Sequence, residues 1–184
     1  MDDNIKTAVR SLRQGKVIAY PTEAVYGLGC DPFNIDAVSQ VLRIKGRTFE
    51  KGFILVAANW DQVEHLVEPI EPAALARVFA TWPGPNTWLF PANDNVPHWI
   101  RGRFANVAIR ISDHPIIQAL CETFAGPIIS TSANKMGYPP TRDYRTTLMT
   151  FGDQVDFIVK GETGKRLRET TITNAVTGEI IREG

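Results

Sequence analysis

Two cations stand close together in the first third of the sequence, where a helical pattern ends. Lys45 and Arg47 are separated by one glycine, and Lys51 follows shortly after them. Lysine binds phosphate as a compact point charge and arginine binds it with a planar fork, so this pair suits a polyphosphate. We expect Lys45 and Arg47 to face a bound anion rather than to act as buried packing groups. Complementation of the helix dipole is a common alternative reason for cations at a helix end.

Polar side chains also follow several predicted strands, at the point where each strand ends. Thr22 and Glu23 come after one apolar run, and Ser132 and Asn134 come after another. Ligands of open α/β sheets bind beyond the ends of strands, so these segments can converge on one crevice. Their hydroxyl and amide groups suit a polar small molecule, and Arg142 further along is a cation suited to phosphate.

An arginine lies in the middle of a predicted strand at residues 107–111. The strand has period two, so Val107, Ile109 and Ile111 share one face and Arg110 points to the other. Such an arginine can extend its charged end to solvent at a sheet edge, or it can line a binding face. Because an unpaired buried cation is costly, we expect a carboxylate ligand to pair with a buried Arg110.

Common nucleotide and metal motifs are missing from the sequence. There is no Gly-x-x-x-x-Gly-Lys-[Ser/Thr] stretch, and Gly27-Leu28-Gly29 lacks the third glycine of a dinucleotide fingerprint. There is also no Cys-x-x-Cys or paired-His spacing, so we expect no metal ligands among the side chains. Ser132 lies in a Thr-Ser-Ala-Asn context rather than in a nucleophile elbow, which argues against serine catalysis.

Strands and helices alternate along most of the chain, which predicts an α/β layer fold with a mixed sheet. Asn4 is a possible N-cap of the first helix, Pro21 interrupts the first strand, and residues 92–106 are predicted as a loop. From the residues alone we predict one α/β domain, residues 1–184, with a phosphate or nucleotide crevice. The predicted helices cover residues 4–14, 34–45, 60–66, 72–80, 113–124 and 142–151, and the predicted strands cover 17–20, 53–57, 87–91, 107–111, 128–130, 157–159 and a hairpin of 171–176 with 179–182.

Composition limits the classes of partner. The 184 residues are 43% hydrophobic and 22% charged, as is ordinary for a soluble globular chain. Twenty basic and twenty acidic side chains cancel, so no field of the whole molecule attracts nucleic acid or anionic membrane. The sequence has two cysteines, an acidic start without a signal peptide and no apolar run of transmembrane length. We expect a cytoplasmic protein that does not contact membranes.

Four motifs together resemble the YrdC-like family, the threonylcarbamoyl-AMP synthases that act early in the formation of threonylcarbamoyladenosine in tRNA. The motifs occur in the family's order, and the resemblance extends to the terminal hairpin and so covers essentially the whole chain. Because the chain ends at Gly184, it is similar to the short, single-domain form. The matching segments are Tyr20-Pro21-Thr22-Glu23-Ala24-Val25-Tyr26-Gly27-Leu28-Gly29, Lys45-Gly46-Arg47, Ala108-Ile109-Arg110 with Asp113-His114-Pro115, and Ser130-Thr131-Ser132-Ala133-Asn134.

The resemblance implies an open, twisted mixed sheet flanked by helices, with a concave basic binding face. It implies that L-threonine, bicarbonate or CO2, and ATP are converted to threonylcarbamoyl-AMP and pyrophosphate, with Mg²⁺ held by the ATP phosphates. The product would go to the transferase complex that modifies position 37 of tRNAs. The implied ATP-binding residues are Lys45, Arg47, Ser132, Asn134, Arg142 and Arg182, with Lys45 and Arg47 as the catalytic cations, and the implied threonine-binding residues are Thr22, Arg110 and Thr170.

The sequence departs from many family members after the Lys-x-Arg triplet. Thr48 and Lys51-Gly52-Phe53 stand where those members have Pro and a Pro-Leu pair, so we expect the loop near residue 50 to close differently. Two other functions remain open at this stage. The first is a non-catalytic RNA-binding module in ribosome or tRNA maturation, although zero net charge argues against RNA binding as the main role. The second is a nucleotide-binding domain with a different acceptor amino acid or amine.

Overall fold

The structure, a computed structural model, describes residues 2–184 of the chain. No helix within this range is both long and apolar enough to cross a membrane. Short 3-10 helices lie at Phe49–Lys51, Trp60–Gln62 and Glu64–Leu66. The helices are α1 Asp3–Arg13, α2 Ile35–Lys45, α3 Pro72–Phe79, α4 His98–Arg101, α5 Pro115–Phe124 and α6 Tyr144–Phe151, and the strands are β1 Ile18–Pro21, β2 Tyr26–Gly29, β3 Ile54–Ala57, β4 Asn86–Pro91, β5 Asn106–Ile111, β6 Ile128–Ser132, β7 Phe157–Ile158, β8 Thr171–Asn174 and β9 Ile180–Arg182.

The strands form a mixed sheet in the order β7-β1-β2-β6-β3-β5-β4-β8-β9. The centre of the sheet contains parallel and antiparallel pairs, because β3 runs parallel to β5 and antiparallel to β6. The predicted terminal hairpin is present as the antiparallel pair β8 and β9. The prediction of an α/β fold with a mixed sheet flanked by helices is confirmed.

The two faces of the sheet bury different clusters. Leu55 in β3 packs in the larger cluster on one face, together with residues of α2, whereas Val56 packs on the opposite face against α1 and α5. Both side chains are fully buried, as the unbroken apolar run predicts for a strand covered on both faces. Ile54 shares the face of Val56 but is only partly buried, and it lines an open cavity. Helices α1 and α5 therefore cover only part of this face, and the uncovered part is the floor of the cavity.

Three local predictions need correction. Asp2, not Asn4, caps α1: its carboxylate accepts from the backbone N–H of Asn4, and the Asn4 amide donates to the Lys160 carbonyl. The helix predicted at 60–66 is a pair of 3-10 helices, because the Asn59 side chain caps the first one and turns the chain within three residues. The loop predicted at 92–106 contains α4, which is one turn long.

Pro21 is the last residue of β1 and belongs to the strand, whereas the sequence predicted an interruption of the strand at the proline itself. It pairs with Tyr26 in the antiparallel ladder of β1 and β2. The Tyr26 N–H donates to the Thr141 carbonyl instead of to Pro21, so this ladder position needs no N–H from the proline. The other neighbour, β7, reaches only as far as Ala19, and a proline is tolerated where the strand has a free edge.

Candidate active site

A cavity of about 520 Å³ lies on the uncovered sheet face, where residues from the ends of β1 and β6, from β5 and from the segment before β8 converge. Convergence of the polar strand ends, predicted from the sequence, is confirmed. Cations outnumber carboxylates among the side chains that line it, so the cavity favours an anionic ligand. The lining cations are Lys45, Arg47, Lys51, Arg101, Arg110 and Arg182, and the lining carboxylates are Glu23 and Glu169.

Arg110 lies in the cavity wall, and its surroundings decide between the two interpretations of a mid-strand arginine. Strand β5 is flanked by β3 and β4, and Arg110 is only 4% exposed, so it does not reach solvent at a sheet edge. Its Nε lies 3.3 Å from Oε1 of Glu23, and its Nη1 donates to Oγ1 of Thr170 at 3.3 Å. The chain itself supplies one carboxylate to this cation, a contact that was not predicted from the sequence.

Glu23 is held in place by a chain of hydrogen bonds. The Ser112 hydroxyl donates to Oε1 of Glu23 at 2.7 Å, and the backbone N–H of His114 donates to that hydroxyl at 3.1 Å. Glu23 is 5% exposed, and its Oε2 has no hydrogen-bond partner among the residues described. The network thus holds the carboxylate beside Nε of Arg110, and Nη2, which makes no hydrogen bond within residues 2–184, can donate to a ligand carboxylate.

Lys45 is the last residue of α2, and Gly46 ends the helix in the left-handed conformation with φ of 65°. Its ammonium donates to the backbone carbonyl of Ser132, to Oδ1 of Asn134 at 2.7 Å and more weakly to the Ser132 hydroxyl at 3.3 Å. Lys45 is 6% exposed. The expectation that it is not a buried group is therefore wrong, because strand β6 brings three acceptors to it. Its charge lies beside the cavity, whereas its N–H groups are used in hydrogen bonds within the protein.

Burial, as the larger cause, and the nearby charge of Arg47 together lower the pKa of Lys45 to about 8. Arg47 is itself constrained: its Nη2 donates to the Gly52 carbonyl at 3.0 Å, and its guanidinium lies 4.6 Å from the centroid of the Phe53 ring. Its Nε is buried without a partner among the residues described, and burial lowers its pKa. The two cations of the Lys-Gly-Arg motif are thus preorganised by the protein.

If ATP binds beside Lys45, as the resemblance in the sequence implies, the pKa of Lys45 predicts a pH dependence of that binding. As the pH rises above about 8 the free protein loses this charge, so ATP affinity should fall by up to about tenfold per pH unit. Calorimetry with ATP between pH 7 and pH 9.5 measures the change. In Lys45→Arg the charge persists, so its profile should be flatter.

The titration of Lys45 does not itself destabilise the fold over this range, because this group acts on stability with the opposite sign. The pKa of Lys45 in the folded protein lies below its ordinary value of 10.5. Between about pH 8 and pH 10.5 the unfolded chain therefore binds more protons at this lysine than the folded protein does. The contribution of Lys45 to the free energy of unfolding consequently rises with pH over this range. Melting temperatures over the same range provide the control. A wild-type affinity that stays constant to pH 9.5 would contradict the assignment of Lys45 to phosphate binding.

Ser132 and Asn134 form a second rigid group at the end of β6. The Ser132 hydroxyl donates to Oδ1 of Asn134 at 2.7 Å, and Nδ2 of Asn134 donates to the Tyr138 carbonyl at 2.7 Å. This pair therefore joins Lys45 to the loop that covers one side of the cavity. Both side chains line the cavity, as predicted.

The remaining predicted site residues divide between two cavities. Thr22 and Thr170 line the main cavity: the Thr22 hydroxyl donates to the Val25 carbonyl, and the Thr170 hydroxyl bonds to that of Thr87 at 3.1 Å. Arg182 lines both this cavity and an adjoining one of about 340 Å³. Arg142 lines only the smaller one and donates to two backbone carbonyls. The structure brings eight of the nine predicted residues to the main cavity and leaves Arg142 beside it.

Sequence reasoning missed the Glu23–Ser112 contact that supports Arg110. A signal for it was present, because Ser112 lies two positions after Arg110 and therefore projects from the same face of the extended chain. It also left open the role of Lys51 and did not include Arg101 in the site, although both line the cavity. Their participation depends on the packing of two loops that are distant in sequence.

The fold and the cavity together define an α/β protein with a cation-lined cleft for a polar, anionic ligand. Residues 10–184 match the Sua5/YciO/YrdC family, which carries the description telomere recombination. The chain belongs to this family, and the resemblance inferred from its motifs is confirmed.

Relatives with known names or structures agree with this assignment. A threonylcarbamoyl-AMP synthase of Coxiella burnetii (strain RSA 493) is 58% identical over 185 residues, which cover 99% of this chain and all of the relative. The crystal structure of P. abyssi Sua5 complexed with L-threonine is 32% identical with a TM-score of 0.87, covering 92% of this chain and 50% of that one. The crystal structure of E. coli YciO is 27% identical with a TM-score of 0.86, covering 98% and 88% respectively.

Proposed function

We propose that this protein is a threonylcarbamoyl-AMP synthase, a nucleotidyltransferase that makes threonylcarbamoyl-AMP and pyrophosphate from L-threonine, bicarbonate or CO2, and ATP. The observation that carries the proposal is the composition of the main cavity. A buried arginine with adjacent threonine hydroxyls lies in the same 520 Å³ space as a series of lysines and arginines. An amino acid substrate requires a partner for its carboxylate, a polyphosphate requires a cationic surface, and a reaction between the two requires these surfaces to be adjacent. The full-length similarity to the Coxiella burnetii synthase supports it.

Each ligand has its own part of the cavity. Arg110 donates to the threonine carboxylate through Nη2, and Thr22 and Thr170 line the space around it. The ATP phosphates lie against the charges of Lys45 and Arg47. In this arrangement the two substrates approach each other across the floor formed by β6, β3 and β5. The remaining residues on the nucleotide side are Ser132, Asn134 and Arg182, with Arg142 at the adjoining cavity.

The chemistry requires positioning and charge neutralisation rather than a protein nucleophile. The threonine amine is first carboxylated to a carbamate. A carbamate oxygen then attacks the α-phosphorus of ATP, the bond from that phosphorus to the β-phosphate oxygen breaks, and pyrophosphate leaves with the electron pair. Fixed cations stabilise the negative charge that develops on the phosphate oxygens.

Mg²⁺ accompanies ATP in this proposal and is held mainly by the phosphates and water. The cavity fits this arrangement, because its two lining carboxylates are already engaged: Glu23 with Arg110 and Ser112, and Glu169 with Arg182 at 3.2 Å. Among residues 2–184 there is no cluster of three or more His, Cys, Asp or Glu side chains placed to hold a metal ion. The protein's own contribution is therefore to bind the phosphates.

The product is an activated threonylcarbamoyl group, which must be consumed by a group transfer. In our proposal a downstream threonylcarbamoyl transferase complex uses it to form N6-threonylcarbamoyladenosine at position 37 of tRNAs, in the cytoplasm. Binding of RNA by this protein itself is weak, because its net charge is zero and its cations line a cavity of small-molecule size.

Product formation tests the proposal directly. The protein incubated with ATP, Mg²⁺, L-threonine and bicarbonate should release pyrophosphate in proportion to threonylcarbamoyl-AMP, which mass spectrometry detects. Omission of threonine or bicarbonate should abolish release, and serine in place of threonine tests for a different acceptor. Pyrophosphate release that does not depend on threonine would contradict the proposal, as would tight tRNA binding without any turnover.

A further inference from the structure

Five large apolar side chains surround the openings of the main cavity and of the adjoining one. They come from four segments that are distant in sequence, and each is between 46% and 84% exposed. Three of them line the main cavity and one lines the adjoining cavity, while the fifth directly follows Gly137, which lines the main cavity. We call this set the apolar collar, and its members are Phe104, Met136, Tyr138, Leu167 and Ile181.

Hydrogen bonds to backbone groups hold the segments that carry the most exposed collar residues. Nη2 of Arg142 donates to the Leu167 carbonyl at 2.8 Å, and the Met136 N–H donates to the Lys45 carbonyl at 3.2 Å. The backbone is therefore fixed, whereas the apolar side chains extend into solvent. A contiguous apolar surface of this kind is typical of an interaction site.

Exposed cations alternate with the collar residues along the chain. Each of the four segments has a lysine or an arginine directly before or after a collar residue, and no carboxylate occupies such a position. A partner that covers the collar therefore meets apolar area bordered by positive charge. Complementarity requires that this partner carry an apolar patch with carboxylates around it. The neighbouring cations are Arg103, Lys135, Arg166, Arg168 and Arg182.

The extent and composition of the collar favour a protein over a nucleotide or an RNA. Tyr138 lines neither cavity and Leu167 lines only the adjoining one, so a nucleotide inside the cavities leaves much of the collar in water. Single-stranded RNA stacks its bases on aromatic rings, whereas Met136, Leu167 and Ile181 are not aromatic. A protein surface with an apolar centre is the occupant that gains from covering all of these side chains.

We propose that the apolar collar docks the protein that accepts the threonylcarbamoyl group, so that the product passes to it directly from the cavity. The inference rests on the proposed function. The product is a mixed anhydride of a carbamate and AMP, which water can cleave. In the transfer, the acceptor amine attacks the carbamoyl carbon and releases its proton, and AMP leaves with the electron pair of the broken carbon–oxygen bond. A partner docked on the collar covers the opening through which the anhydride leaves.

Affinity for the purified threonylcarbamoyl transferase complex tests the proposal. Leu167→Ser and Tyr138→Ser should each weaken binding by about tenfold, as measured by biolayer interferometry, because each removes a large apolar contact. Arg166→Glu should lower the association rate constant by about fivefold or more, because it reverses a charge at the border of the interface. Added salt should weaken binding of the wild type for the same reason.

Two exposed residues outside the collar provide matched controls. Met149 in α6 is 80% exposed and Arg10 in α1 is also exposed, and neither lines the main or the adjoining cavity. Met149→Ser and Arg10→Glu should therefore leave the affinity unchanged. Losses in these controls equal to those in Leu167→Ser and Arg166→Glu would show that the collar is not the docking surface.

Transfer of the product provides a second readout. Leu167→Ser and Tyr138→Ser should release pyrophosphate within about twofold of the wild-type rate, because neither side chain lines the main cavity. The amount of modified tRNA formed per pyrophosphate, with transferase complex and tRNA present, should fall by about fivefold or more, because undocked product is diluted into water. An unchanged ratio in both variants overturns the inference.

The outcomes separate this inference from the proposed function and from RNA binding. Wild-type protein that makes threonylcarbamoyl-AMP but does not bind the transferase complex overturns the inference and leaves the synthase in place. Wild-type protein that binds the complex but releases no pyrophosphate contradicts the synthase and, with it, the transfer of a product. Loss of tRNA affinity in Leu167→Ser, with unchanged affinity for the transferase complex, would assign the collar to RNA and overturn the inference.

Discussion

Replacing Lys45 by alanine should lower kcat/KM for ATP by about 10²- to 10³-fold, as the loss of one preorganised charge beside a reacting phosphate typically does. The ammonium also joins α2 to β6 through Ser132 and Asn134. Its removal breaks charge-assisted hydrogen bonds to the Ser132 carbonyl and to Oδ1 of Asn134, which should cost about 1–3 kcal/mol of unfolding free energy. Pyrophosphate release and thermal unfolding, measured on the same samples, provide the two values.

Two variants distinguish the roles of Lys45. Asn134→Ala removes one acceptor but keeps the cation, so it should destabilise the protein comparably and reduce turnover less. Arg43→Ala removes an exposed cation from the same last turn of α2 and should leave turnover unchanged. If Arg43→Ala and Lys45→Ala were equally impaired, complementation of the helix dipole would explain both, and the phosphate role would be rejected.

Replacing Arg110 by alanine should raise the KM for threonine by about 30-fold or more, with a much smaller change in the KM for ATP. The basis is the loss of a buried, charge-assisted pair with the substrate carboxylate, on the order of 2–5 kcal/mol. Arg110→Lys keeps the charge but loses the planar fork, so it should show the same selectivity with a smaller effect. Initial rates at varied threonine and ATP concentrations separate the two constants.

The Glu23 partner provides the control for this prediction. Arg110→Ala leaves the buried Glu23 carboxylate without its cationic partner, which should lower the free energy of unfolding. The double variant Arg110→Ala with Glu23→Gln removes both charges and should recover part of that loss. Glu23→Gln alone should raise the KM for threonine by misaligning the guanidinium while the charge remains. An unchanged threonine dependence in Arg110→Ala would show that Arg110 is structural and that the threonine pocket lies elsewhere.

Local patterns were sufficient for the elements and for several site residues. The period of two in β5 placed Arg110 opposite Val107 and Ile109, and the structure has this alternation. The helical repeat before Lys45 correctly placed this residue at the C-terminal end of α2. These features depend on contacts between residues close in sequence, which is the reason that periodicity and capping rules predict them.

Burial and partners could not be predicted in the same way. Lys45 was expected to face a bound anion rather than to be a buried packing group, and it is buried against Ser132, which is 87 residues away in the chain. Glu23 was recognised only as a polar residue at a strand end, and its contact with Ser112 spans 89 residues. Such pairs depend on which strands are neighbours, and nothing in the local sequence around either residue specifies that order.

By itself, the sequence determined the α/β class, the family motifs and the residue types able to bind an amino acid and a polyphosphate. The tertiary structure decided which of these groups have free donors. Strand β6 lies between β2 and β3 and brings acceptors to Lys45, and the packing of Gly52 against Arg101 places an exposed lysine, Lys51, and a half-buried arginine at the cavity. The physical reason is that charge is a property of the residue, whereas desolvation and hydrogen-bond partners arise only when distant segments pack.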